Sequence, residues 1–439
     1  MNYELCINGN VKEFIKKHLN DDVNKLALSK FPEDIDKQFV IRQIQARQVL
    51  SKKLPSWAEN DELIFPKKLS LEQCSSELTA KYKTSLSANP HEMTRKEIGA
   101  DSCDLVDEKK ILVDLTGGMG VDTAFLSDNF DKTFYVEMQE ELCDIARHNF
   151  KILNKNIEVI NDNAEHFLTT CDEVDCIYLD PARRDEYGRK MVSLHDCSPD
   201  VVELHDILLK KANKILVKVS PMLDIEMIKK ELTDITEIHV VAVKNECKEV
   251  LLEIQKFRNS KTQNLSNSAI QQLRILAIDL RENWNFSFTE EEERDAQWTL
   301  ADSVGKYLYE PGAACMKAGC FKLLSQRFNI DKLHRNSHLY TSDELVADFP
   351  GRIFEVVCAV PFDKKTKKEI TSICQQTTDN GQQTSSKSGS LKASVAVRNF
   401  PLSAEELKKN LGLQDGNDFY IFGTTMKGEK KIVVIAKKL

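Results

Sequence analysis

The chain has 439 residues, of which 41% are hydrophobic and 30% charged, and its formal net charge is -8. That length exceeds what a single compact core fills, so two or three domains are expected in an ordinary globular composition. The acidic balance excludes a global basic field that would draw the protein onto nucleic acid, and leaves any such binding to a local patch.

Residues 1–90 carry apolar side chains at spacings of three and four, as in "NVKEFIKKHL" and "DKQFVIRQIQARQVLSKKL", which predicts helices punctuated by Pro32, Pro55 and Pro66. Ser70 and Gln73 have the spacing of a capping box, so a helix carrying Ser75, Ser76 and Thr79 is expected to start there. From about residue 110, short β-branched runs alternate with helical stretches: "KILVDLTGG", "TFYVEMQ", "IEVINDN", "CIYLDPA" and "ILVKVSP". That alternation predicts a parallel sheet covered by helices on both faces. "IHVVAV" and "EVLLEIQKF", joined by the polar "KNECK", are expected to close the sheet as a hairpin, and "RILAIDL" to add a strand. The polar stretches 257–269 and 375–390 read as loops. "TEEEERD" reads as a linker or an exposed helix start, followed by the helical "AACMKAGCFKLLSQRF". Beyond 349 the order is strand, polar stretch, strand, helix, strand, strand, and residues 361–439 hold about six more basic than acidic side chains.

Twelve cysteines are scattered with no C-x-x-C pair, and His334 and His338 have no cysteine or acid cluster beside them in sequence. Reduced thiols and no bound metal are therefore expected. The opening residues have no basic segment followed by an apolar block, and no run reaches bilayer length. A cytoplasmic protein without a membrane partner is expected.

"ILVDLTGGMGVDT" (111–123) reads as strand, glycine turn and helix start, in which Gly117, Gly118 and Gly120 let the backbone approach a ligand. Acids follow at the carboxyl ends of successive strands. Glu137 can accept from two ribose hydroxyls, Asp162 from an exocyclic amine such as adenine N6, and Asp180 closes the fourth strand. A dinucleotide fingerprint would need a third glycine where Thr123 stands, and the G-K-[ST] of a phosphate loop is missing.

With these residues in place, the sequence resembles the class I S-adenosylmethionine-dependent methyltransferases. The family's acid-x-Gly-x-Gly-x-Gly stands here as Asp114-Leu-Thr116-Gly-Gly118-Met-Gly120, so Thr116 replaces the first family glycine. Asp180-Pro181 matches the first two positions of the family's D/N-P-P-Y/F motif. "SLEQCSSELTAKYK", "LDPARRD", "VKVSPMLD", "YLYEPGAACMKAGCFKLL" and "VRNFPLSAEEL" extend the likeness to bacterial methyltransferases with a THUMP-like C-terminal domain. The resemblance implies an α/β fold with a Rossmann-like methyltransferase sheet, a helical N-terminal region and a smaller α+β C-terminal part. The expected domains are 1–92 (helical), 93–288 (methyltransferase), 289–365 (ferredoxin-like) and 366–439 (THUMP-like). It implies S-adenosylmethionine as cofactor, bordered by Asp114, Thr116, Gly118, Gly120, Glu137, Met138, Asp162, Asn163 and Thr79. Gln73, Ser76 and Thr79 are candidates for the cofactor carboxylate. Since THUMP domains bind RNA, usually tRNA, an RNA partner (tRNA or rRNA) is implied by analogy.

An Asp-Pro pair suits N-methylation. Accepting the N–H bonds of an aromatic amine on Asp180 and the Pro181 carbonyl favours the pyramidal, nucleophilic nitrogen and stabilises the charge that develops on it. Arg183 stands where the motif has an aromatic. It and Arg184 can stack on a base or donate a fork to guanine or phosphate, which favours a purine, with guanine N2 as first guess. Pairing with acids such as Asp185 is the plainer alternative. Lys218, odd in a buried strand, reads as a snorkelling or substrate-contacting cation. "DPAR" is also similar to uracil-C5 methyltransferases, but Pro221 stands where their cysteine nucleophile would fall, and Cys247 reads as structural. Two further readings stay open: a methyltransferase of small molecules or proteins, and a non-catalytic RNA-binding protein that keeps the fold.

Overall fold

The computed structural model describes residues 8–87, 109–183, 193–255, 272–370, 372 and 391–439. The chain forms two compact units, Met1–Ile238 with Glu249–Gln271, and His239–Lys248 with Gln272–Leu439. Both sequence-predicted loops, 257–269 and 375–390, fall outside the described residues.

The first unit begins with helices α1 (Gly9–Lys17), α2 (Val23–Ala27), α3 (Lys37–Leu50), α4 (Pro55–Ala58), α5 (Lys68–Gln73) and α6 (Glu77–Ser87). Asn8, Asp22 and Asp36 cap the first three by accepting backbone N–H bonds. The expected capping box at Ser70 does not form. Ser70 lies inside α5, and the backbone turns extended at Cys74 (ψ 156°) before the next helix starts. Ser76 takes the capping role, its Oγ accepting from the Thr79 N–H at 3.2 Å.

The sheet that follows is built from β1 (Ile111–Asp114), β2 (Lys132–Glu137), β3 (Ile157–Asn161), β4 (Val174–Leu179) and β7 (Ala212–Val219), in the order β7-β4-β1-β2-β3 and all parallel. The crossovers are α7 (Val121–Leu126), α8 (Glu140–Ile152), α9 (Ala164–Thr170) and α10 (Val201–Lys211). A two-residue ladder, β5 (Ala182–Arg183) with β6 (Cys197–Ser198), follows β4. After α11 (Ile225–Glu231) comes the hairpin of β8 (Ile235–Val243) and β9 (Glu246–Gln255). β9 runs antiparallel against β7, so the later strand of the hairpin is the inner one. Helix α8 turns Leu142, Cys143, Ile145, Ala146 and Phe150 inward. Its Cys143, Ala146 and Phe150 share one core with Leu50, Trp57, Phe65 and Ala80 of the N-terminal region.

In the second unit the end of β8 lies beside β10 (Arg274–Asp279), which pairs with β11 (Trp284–Thr289). The acidic stretch is a helix start: α12 (Glu290–Asp295) opens with a capping box of Thr289 and Glu292. A seven-stranded sheet follows, from β12 (Tyr307–Pro311), β13 (Asp331–Lys332), β14 (Tyr340–Ser342), β15 (Gly351–Pro361), β16 (Lys392–Arg398), β17 (Gln414–Met426) and β18 (Lys430–Lys438), in the order β13-β14-β12-β15-β18-β17-β16. Helix α13 (Ala313–Ala318) packs against β10, α14 (Phe321–Phe328) follows it, and α15 (Ala404–Leu411) packs on β16 and β17. Leu407 and Leu411 of α15 pack with Phe419, Ile421, Val433 and Ile435. Among the described residues, no helix is long and apolar enough to cross a membrane.

Candidate functional site

The glycine turn after β1 is shaped by three contacts. Gly117 passes so close to the Tyr135 ring that a Cβ there would lie 2.2 Å from it. Gly120 has φ 81° and faces Phe150, where a Cβ would sit 2.8 Å away, so only glycine fits. Tyr135, buried on β2, donates its hydroxyl to the Gly118 carbonyl at 2.6 Å. Sequence reading missed this brace, since a strand tyrosine carries no signal of it.

Glu137 ends β2 beside the turn. Its Oε2 accepts from the Gly118 N–H at 3.0 Å and its Oε1 from the Gln139 N–H at 2.9 Å. A carboxylate has about four acceptor positions, so each oxygen keeps capacity toward the cleft.

Asp114 and Asp122 bracket the turn. Asp114 is 1% exposed and accepts from the Thr116 N–H at 2.9 Å and the Thr123 hydroxyl at 2.5 Å. Burial pushes its carboxyl up to about 7, despite these two donors, and Asp122 and Asp180 push the same way. Asp122, in the first turn of α7, accepts from Ser75 at 2.7 Å and from Tyr178 at 2.8 Å, and its other oxygen lies 3.2 Å from Lys83 Nζ. Burial raises its pKa, but Lys83, then Lys218, and the two hydroxyls hold it below the ordinary carboxylate value. Lys83, on α6, is fully buried and donates to both oxygens of Glu249 at 2.9 Å and to Ser75 at 3.1 Å.

Asp180 follows β4. Its N–H donates to the Thr116 hydroxyl at 2.6 Å, so the residue that departs from the glycine motif ties the turn to the strand end. Its Oδ2 accepts from Lys218 Nζ on β7. Burial disfavours the Lys218 ammonium, yet Asp180, followed by Asp122 and Glu249, holds its pKa above the ordinary lysine value.

A cleft joins these groups. The turn, Glu137, Met138, Asp122, Tyr178 and Asp180 line it, and Ser70, Gln73, Cys74 and Ser75 of the N-terminal region supply a wall. Pro181 sits between the lining residues Asp180 and Ala182. Asp162 and Asn163 open the turn into α9. Asp162 accepts from Asn163 N–H at 2.8 Å and meets His166 Nδ1 at 2.6 Å, Asn163 caps the helix, and the next two residues, Ala164 and Glu165, line the cleft. Thr79 is not brought to it, because its hydroxyl donates to the Ser76 carbonyl at 3.1 Å. The Arg183 backbone pairs with Cys197, while its side chain and all of Arg184 lie outside the described residues. In the second unit, His334 meets Glu429 at 2.9 Å and His338 stacks on Phe321 at 3.8 Å between centroids.

Residues 307–350 match a ferredoxin-like domain family and residues 382–438 a THUMP domain-like family. A candidate methyltransferase from Porphyromonas gingivalis W83, known as a crystal structure, is 32% identical, and the match covers 100% of this chain and 98% of that one at a TM-score of 0.79. A candidate methyltransferase from Streptococcus mutans in complex with SAH and an rRNA methylase from Streptococcus thermophilus are each 17% identical over 38% of this chain. They are covered over 98% and 97% of their own length at TM-scores of 0.27 and 0.25, a likeness that carries no argument about activity. No curated protein matched.

Proposed function

Because this chain belongs to the methyltransferase family of the Porphyromonas gingivalis protein and carries ferredoxin-like and THUMP-like regions, we propose that it methylates an exocyclic amine of an RNA nucleobase. S-adenosylmethionine is the methyl donor, tRNA or rRNA the substrate, and guanine N2 the first atom to examine. The observation that carries this reading is Asp180-Pro181 at the carboxyl end of β4, with Asp180 opening on the cleft that the glycine turn and Glu137 border.

The residues present fit that cofactor. The turn brings bare backbone to the cleft, Glu137 keeps lone pairs for two ribose hydroxyls, and the wall at Gln73 and Ser75 offers polar groups to the amino-acid end. Asp162, like Glu137, has one partner on each oxygen, so it keeps lone pairs for the adenine amine. When bound, the cofactor supplies an electrophilic methyl on a sulfonium. The chain's own part is to orient the nucleophile: Asp180 and the Pro181 carbonyl accept the amine N–H bonds, direct the lone pair, and stabilise the cationic nitrogen before it sheds its proton to water. Pro181 stiffens that acceptor pair. Arg183 and Arg184 are assigned to base or phosphate.

The test is transfer of labelled methyl from S-adenosylmethionine to total RNA from a strain lacking the gene, with nucleoside identification. Label in one N-methylated nucleoside is expected. Label in the protein or small-molecule fraction instead favours the second reading, toward which the net charge of -8 leans.

A further inference from the structure

We infer that Lys218 is a positioning residue for Asp180 rather than a contact of the substrate, an inference that rests on the reading of Asp180 as the amine acceptor. Lys218 is not among the residues lining the cleft, and its side chain is 13% exposed. Its ammonium lies on Asp180 Oδ2. The Asp180 N–H bond to Thr116 holds the backbone at the strand end, the Lys218 ammonium holds one carboxylate oxygen, and among the described residues Oδ1 has no protein donor. A lone carboxylate at a strand end samples several rotamers. One clamped at an oxygen and at its backbone presents a single acceptor in one direction.

The clamp is itself held. Asp122 on α7 and Glu249 on β9 also hold the Lys218 ammonium charged, and Lys83 on α6 pairs with both of those acids. The charges alternate from Asp180 through Lys218, Asp122 and Lys83 to Glu249, so α6 is linked to the reacting end of the cleft through ions.

The experiment compares Lys218→Met, Lys218→Arg and Asp180→Asn in methyl transfer to RNA from the strain lacking the gene, together with melting temperature and calorimetric affinity for S-adenosylhomocysteine. Lys218→Met is expected to lower kcat about tenfold or more, with KM for RNA and S-adenosylhomocysteine affinity within about twofold of wild type, and Lys218→Arg to recover most of the loss. Adding Lys218→Met to Asp180→Asn is expected to cost less than about twofold further, since the clamp has nothing left to hold. A raised KM at unchanged kcat, or losses that multiply in the double variant, overturns the inference and makes Lys218 a substrate contact. If the Met variant does not fold, Lys218→Gln carries the same test, and wild-type kcat in it is equally fatal. If Asp180→Asn alone keeps wild-type activity, the failure lies in the reading of Asp180 and not in the clamp.

Discussion

Asp114 and Asp122 stand at the two ends of one glycine turn, both buried, and the fold treats them in opposite ways. Asp114 meets only neutral donors, the Thr123 and Thr116 hydroxyls and the Thr116 N–H, and burial drives its pKa up to about 7. Asp122 meets two hydroxyls and lies beside the ammonium of Lys83, with that of Lys218 also acting on it, and its pKa falls below the ordinary value. Hydrogen bonds from neutral donors do not offset the desolvation of a carboxylate, whereas a buried cation does. The turn thus has one end, Asp114, held by neutral donors and an ionic end at Asp122, from which the charge ladder leads to Asp180.

The comparison predicts where substitutions act. The largest effect is expected at the reacting end: Asp180→Ala lowers methyl transfer by about a thousandfold or more while cofactor affinity stays nearly unchanged, as single-turnover rates and calorimetry can report. Next is Lys83→Ala, which leaves Glu249 and Asp122 buried without their cation and costs about 3–5 kcal/mol in denaturant unfolding. An unchanged midpoint there would show that the ionic end is not held as described. The Asp114 end is probed by pH. Its folded pKa is raised from 3.8 to about 7, so its contribution to stability is fully present below the unfolded value and is lost as pH rises through about 7. Asp114→Asn removes that loss, an effect on the order of 4 kcal/mol between pH 4 and 8. Asp122 runs the other way: its contribution is present above the unfolded value and is lost as pH falls through the folded one. The smallest effect is expected from Thr116→Val, which leaves the Asp180 N–H without its acceptor at a cost of about 1–3 kcal/mol in thermal unfolding.

The same contrast sets how much was legible in sequence. The glycine turn and the strand-end acids are local signals, and they place Asp114, Gly118, Gly120, Glu137 and Asp180 around one cleft. Lys83 sits in "TAKYKTSL", where a lysine at helical spacing reads as surface, because its partner Glu249 is 166 residues away. Ser75 and Asp122, 47 apart, hide for the same reason. The Ser70–Gln73 spacing satisfied a capping rule, but the extended turn at Cys74 puts that segment on the cleft wall instead. Thr116 read as a departure from glycine. Its hydroxyl on the Asp180 N–H shows what the departure does, and only the approach of β4 to the turn reveals it. The inner placement of β9 was likewise beyond a pattern of apolar runs, since strand order depends on which edge the hairpin finds.

The most direct measurement pairs calorimetry with catalysis on wild type and Asp180→Ala. S-adenosylhomocysteine is expected to bind both with equal affinity, while labelled methyl reaches an exocyclic nitrogen of RNA only with the wild type. No binding to either protein, or transfer that survives the loss of Asp180, contradicts the account.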